Sequence, residues 1–153
     1  MFKKILIPTD GSPLSAQAAN KGVCFARSIG AEVVALYVTQ PFAATVGFDG
    51  MAAAYAITDE DYEKTANEQA QKYIQQVLDR ADTAGVKAGG KVVSNFNVAD
   101  GIVQAAEEEG CDLIFIGSHG RSGLSRLLLG SVTVKVLGLA KTATLVYRVK
   151  ESG

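Results

Sequence analysis

Short apolar runs rich in β-branched residues alternate with helix-periodic stretches along the whole chain, and this alternation restricts the fold more than any other feature. Ile5-Leu6-Ile7 is the first such run, closed by Pro8, and an uninterrupted apolar run suits a strand covered on both faces. Ser12-Pro13 then predicts a helix start. A serine hydroxyl accepts an orphan amide there, and proline at the first helical position gives up an amide the helix does not need. Gly30 is the expected C-terminal cap of that helix. Further strands are expected over 33–38, 91–94, 113–116 and 145–149. Tyr62, Ala66, Ala70, Tyr73, Val77, Ala81 and Ala84 recur at spacings of three and four, the mark of one face of a long helix, and the two tyrosines are expected to pack in the core. A shorter helix is expected over 99–109, ended by Gly110, and a last one over 131–140.

Strand and helix in strict alternation imply parallel strands joined by right-handed crossovers, with helices on both faces. The expected fold is α/β: a doubly wound, Rossmann-like domain with a five-stranded parallel sheet in the order 3-2-1-4-5. A length of 153 residues suits one such domain, 1–153, with a sizeable core. Ligands of these sheets sit beyond the carboxyl ends of the strands where the strand order reverses, which directs attention to Asp10 and Gly117. The segment 40–58, rich in Ala and Gly without clear period, is too long for a plain connection; a lid, a contact surface and a loop over the sheet edge all fit it.

Fifteen Lys and Arg against sixteen Asp and Glu leave a formal charge of −1, so no bulk field draws in nucleic acid or an anionic membrane, and any phosphate site must be local. Cys24 and Cys111 lack a CxxC or CxxH pattern and are expected to be buried small hydrophobes in a reducing compartment. No apolar run reaches the length of a membrane span, and Pro8 and Asp10 interrupt any signal-peptide core, so the expected location is the cytoplasm.

After the fourth strand the chain reads Gly117-Ser118-His119-Gly120-Arg121-Ser122-Gly123, and a helical pattern resumes after Gly130-Ser131. Glycines let backbone amides approach a phosphate, and the helix beginning near Ser131 adds free N–H groups and a positive dipole end. Ser118, Ser122 and Ser131 offer hydroxyls, and Arg121 and Arg126 offer charge. The loop is not a Walker A motif, which needs a lysine before the Ser, nor a Gly-x-Gly-x-x-Gly dinucleotide fingerprint, which would follow the first strand. His119 is the only histidine, so a histidine metal cluster is excluded. Ile116 breaks the Gly-x-Ser-x-Gly nucleophile elbow, leaving Ser118 a poor nucleophile. Asp10 suits either a ribose hydroxyl or cation contact or a turn that caps its own backbone. Ser94-Asn95 after strand three excludes a receiver domain, which needs an aspartate there, and the position of the glycine loop argues against a flavodoxin.

Gly117, Gly120, Gly130 and Ser131 fit the spacing Gly-x2-Gly-x9-Gly-Ser, which resembles the ATP-binding signature of the universal stress protein family. The opening Ile-Leu-Ile-Pro-Thr-Asp-Gly-Ser and the strand end Leu36-Tyr37-Val38 look like that family too, and the resemblance spans essentially the whole chain. It implies that Pro8, Thr9 and Asp10 lie near ribose and adenine and that the Val38 backbone meets the base edge. It also implies that Gly117, Gly120, Gly130, Ser131 and Val132 surround ribose and phosphates, with Ser118, His119 and Arg121 beside them. The implied ligand is ATP, or AMP or ADP, with Mg2+ or Mn2+ held through its phosphates. The implied protein is a homodimer, paired through its last strand at about 144–149, that regulates an unnamed protein partner in a stress response. Three positions depart from the family: Tyr37 where histidine is common, Val134 where a polar residue is common, and Thr142-Ala143-Thr144 where Cys-Pro is common. Two other functions fit the same residues: a slow ATPase or nucleotidyl or phosphoryl transferase using Asp10 and Arg121, and a protein-interaction module that binds no nucleotide.

Overall fold

The computed structural model describes residues 1–43, 58–120 and 129–150. Strands β1 (Lys4–Pro8), β2 (Glu32–Thr39), β3 (Ala88–Ser94), β4 (Leu113–Gly117) and β5 (Ala143–Tyr147) form one parallel sheet in the order β3-β2-β1-β4-β5. Helices α1 (Pro13–Ile29), α2 (Asp59–Thr83), α3 (Val98–Glu108) and α4 (Ser131–Leu139) connect them. The expected doubly wound α/β fold and its strand order are those observed.

Local chemistry explains the boundaries. Ser12 Oγ accepts the Ser15 amide at the start of α1, with Pro13 at the first helical position, and Gly30 closes the helix at φ +69°. Thr58 and Asn97 cap α2 and α3 in the same way. Gly110 turns the chain at φ +64° into β4.

Each sheet face has its own core. Ile5, Ile7, Val33, Ala35, Leu113 and Phe115 pack on one side beneath α1 and α2, joined by Ala26, Ile74 and Val77. Leu6, Val34, Leu36, Ile114 and Ile116 pack on the other with Ile102, Ala105 and Val136 of α3 and α4. Alternate residues of continuous apolar runs therefore serve opposite cores. Cys111 belongs to the second core, and burial pushes its thiol up to about 11. Cys24 corrects the expectation made for it: it lies on the outer face of α1, exposed.

The amino ends of the strands carry a charged network, with Lys87 on Glu32 at 3.0 Å and Lys91 on Glu109 at 2.7 Å. Lys87 holds the Glu32 carboxyl below the usual carboxylate range, and Lys91 does the same to Glu109. Among the described residues no helix is long and apolar enough to cross a membrane.

Candidate functional site

The carboxyl ends of β1 and β4 part to form a cleft. The β1–β2 ladder ends at Pro8 opposite Leu36, and Thr9 N–H donates one more bond to the Leu36 carbonyl at 2.8 Å before the chain turns into α1. That turn is bonded internally. Asp10 Oδ1 accepts the Ser12 amide at 2.9 Å, Ser15 Oγ accepts the Asp10 amide at 3.1 Å, and Ser15 Oγ donates to Thr9 Oγ1 at 3.1 Å. Asp10 thus makes the turn a capping aspartate makes, and it also lines the cleft.

The opposite wall comes from β4 and α4. Gly130 donates its amide to the Ser118 carbonyl at 2.7 Å, and Thr133 Oγ1 donates to the Gly117 carbonyl at 2.8 Å, so the start of α4 is fixed to the end of β4. Gly130 is the N-cap and supplies no side-chain bond. The first turn, Ser131 to Thr133, therefore brings its amides and the positive helix end to the cleft without a side-chain acceptor.

The glycines here leave room for close neighbours. A methyl on Gly120 would collide with Asp10 Oδ2, and one on Gly130 would come within 3.3 Å of the Ser118 carbonyl oxygen and 3.4 Å of His119 Cα. Another backbone segment lies close against Gly130, a reason for glycine that stands beside the phosphate approach expected at this loop. Gly120 against Asp10 is the contact that joins the two remote stretches.

The cleft encloses about 560 Å³. Leu36, Val38, Val98, Ile102, Ile116 and Val132 make an apolar side, while Thr9, Asp10, Ser15, Thr39, Gln40 and His119 supply polar groups. Such a mixture, largely apolar with a few convergent polar groups, is what small-molecule sites present.

The strand β2 offers the cleft a donor and an acceptor from one residue. Glu32 N–H bonds to Lys3 and Leu36 C=O to Thr9, both on the β1 side, whereas Val33 N–H and Thr39 C=O bond toward β3. Alternate residues of a parallel strand turn their backbone groups to the same neighbour. Val38 therefore turns its N–H and C=O to the β1 side, beyond the point where β1 has left the sheet.

Of the expected site residues, Pro8, Thr9, Asp10, Val38, Gly117, His119, Gly120, Gly130, Ser131 and Val132 all line this one cleft. Ser118 does not. It has no exposed surface, its hydroxyl accepts the Val149 amide at 3.1 Å and lies 3.0 Å from His119 Nδ1, so its role is to hold the walls. Arg121, Ser122 and Arg126 lie outside the described residues, as does most of the 40–58 segment.

Several lining residues escaped the sequence reading: Ser15, Thr65, Gln69, Val98, Ile102 and Thr133. Tyr62 corrects an expectation, for it is a wall residue and not a core one; its hydroxyl donates to the Gln40 carbonyl at 3.2 Å and its ring meets Phe42 with centroids 5.2 Å apart. The available signal was length. Helix α2 has 25 residues, about 37 Å, against roughly 26 Å for the eight residues of β2, so its first turns must overhang the sheet.

Comparison with known proteins gives a consistent result. The family model described as the universal stress protein family matches residues 1–148. The universal stress protein MJ0531 of Methanocaldococcus jannaschii is 35% identical over 150 residues, covering 97% of this chain and 83% of its own length. The solved structure of MJ0577 from the same organism superposes with a TM-score of 0.79 at 29% identity, covering 99% of both chains. A universal stress protein solved in complex with cAMP superposes with a TM-score of 0.66 at 25% identity, covering 97% of this chain and 98% of that one.

Proposed function

This chain belongs to the universal stress protein family, and we propose on that premise that its cleft binds ATP and that the protein acts as a nucleotide-dependent regulator. The observation that carries the reading is the convergence on one cleft of Asp10, the Val38 backbone and the uncapped first turn of α4. Each matches a different part of an adenine nucleotide.

The edge of adenine carries an acceptor at N1 and an amino donor at N6, complementary to the Val38 N–H and C=O. Guanine carries a donor at N1 and an acceptor at O6, which sets like against like. The apolar side of the cleft, with Val98 and Ile102, takes the faces of the base. Asp10 accepts ribose hydroxyls, and the amides of Ser131, Val132 and Thr133 take phosphate oxygens at the positive end of α4. The cAMP complex of a relative supports an adenine ligand.

Among the described residues no group of three or more His, Cys, Asp or Glu could hold a metal ion. Mg2+ or Mn2+ would therefore be held mainly by the phosphates, with Asp10 as the one carboxylate among the described residues that line the cleft. Bound there, the cation neutralises phosphate charge.

Edge strand β5 supports a homodimer. Ser118 N–H donates to the Tyr147 carbonyl at 2.8 Å, so odd-numbered residues of β5 serve the ladder with β4 and Thr144 and Val146 turn their backbone groups outward. A second copy pairing there would use them.

Calorimetric titration of the protein with ATP in the presence of Mg2+ tests the reading. One saturable site per chain is expected; a flat titration refutes it and favours the protein-interaction module. Rapid release of phosphate or pyrophosphate in the same mixture would refute the regulator in favour of the enzyme.

A further inference from the structure

The turn that carries Asp10 is packed against an aromatic ring of α2 as well as hydrogen-bonded within itself. Gly11 lies at φ +80°, and a methyl on its α-carbon would overlap three carbons of the Tyr73 ring. The Tyr73 ring in turn stacks on Tyr37, with centroids 6.0 Å apart and planes 14° from parallel. Tyr37 is 8% exposed and immediately precedes Val38. Two rings, one from α2 and one from β2, thus fill the space between the base-reading strand and the Asp10 turn.

Side-chain hydrogen bonds among residues 9 to 15 set the shape of that turn. Beyond the last ladder bond at Thr9, the Tyr73 ring packs directly against Gly11 and limits how close the turn can come to the sheet. Tyr73 does not line the cleft and acts only through that contact. We propose that Tyr73, backed by Tyr37, is a positioning residue that fixes the Asp10 carboxylate at the ribose of the bound nucleotide, an inference that rests on the nucleotide reading above.

The test compares ATP with 2′,3′-dideoxy-ATP by calorimetry on the wild type, Asp10→Asn, Tyr73→Leu and Tyr73→Phe. The wild type is expected to prefer ATP by roughly tenfold, the lower end of what a hydrogen bond to a charged group contributes. Asp10→Asn should lose most of that preference. Tyr73→Leu should lose it too while binding the dideoxy nucleotide within about twofold of the wild type. Tyr73→Phe should behave as the wild type, because the ring and not the hydroxyl meets Gly11. Tyr37→Leu, which removes the ring behind Tyr73 at a residue that also lines the cleft, should shift the preference in the same direction, and the ratio of the two affinities carries the test if Tyr73→Leu does not fold. If Asp10→Asn loses the preference and both leucine variants keep it, the positioning role is overturned; equal weakening toward both nucleotides overturns it as well. A wild type that binds neither nucleotide refutes the binding reading itself, a result distinct from either.

Discussion

The hydroxyl of Ser118 accepts the Val149 amide from inside the protein, and Gly130 takes the carbonyl of the same residue. A serine in a glycine-rich loop is here part of the frame. Removing its oxygen leaves the part-buried Val149 N–H without its acceptor, at about 1 kcal/mol, the lower end of the cost of an unsatisfied polar group. Ser118→Ala should therefore lower unfolding stability by about that amount in a urea titration, with ATP affinity within about twofold of the wild type. A stable variant with lost affinity would return Ser118 to the ligand. Asp10 shows the opposite economy: one carboxylate oxygen closes the turn with Ser12 and the other lies against Gly120. The turn that sequence alone offers as one alternative therefore occupies one oxygen of the side chain, and the proposed ribose contact falls to the other.

At the scale of elements, helix boundaries were the most legible part of the chain. Ser12-Pro13, Gly30 and Gly110 act through local backbone chemistry, which requires no knowledge of the partner element. Strand boundaries were less so. Strand β3 begins at Ala88, three residues before its expected start, because Gly89 and Gly90 are poor strand formers that a ladder with Val34 and Ala35 nonetheless holds extended. Gly90 is there for packing, since a methyl would collide with Ile74 of α2. That reason is tertiary and invisible in the local pattern. Strand β5 begins and ends two residues earlier than expected, Val149 being bonded to Ser118 past the end of the ladder. Helix α4 yields a prediction of its own scale. Its first turn holds no acidic residue and no side-chain cap, so Ser131→Asp should stabilise the fold by about 0.3–1 kcal/mol through the helix dipole. The same carboxylate would repel phosphate, and ATP affinity should fall by roughly tenfold or more. Thermal melts and calorimetry on one preparation check both signs; unchanged affinity would move the phosphates away from α4.

For the molecule as a whole, the sheet separates two kinds of work. The amino ends of the strands carry the Lys87–Glu32 and Lys91–Glu109 pairs, and the carboxyl ends open into the cleft. The topological argument located this cleft from sequence because the place where strand order reverses follows from strict alternation of strand and helix. It could not locate the α2 wall, which depends on how far a 25-residue helix overshoots the strands beside it. Assembly is tested at the free edge. Val146→Pro removes an outward amide while sparing the ladder with β4, a substitution that edge strands tolerate. Light scattering should show the wild type as a dimer and this variant as a monomer of unchanged secondary structure; a dimeric variant would place the interface elsewhere. The wider account stands on an adenine edge read by the Val38 backbone beside a ribose held by Asp10. Parallel calorimetric titrations with ATP and GTP, under one set of Mg2+ conditions, measure this most directly. ATP should bind at least about tenfold more tightly than GTP, since the wrong edge leaves both Val38 groups unpaired. Equal affinity for the two would contradict the account.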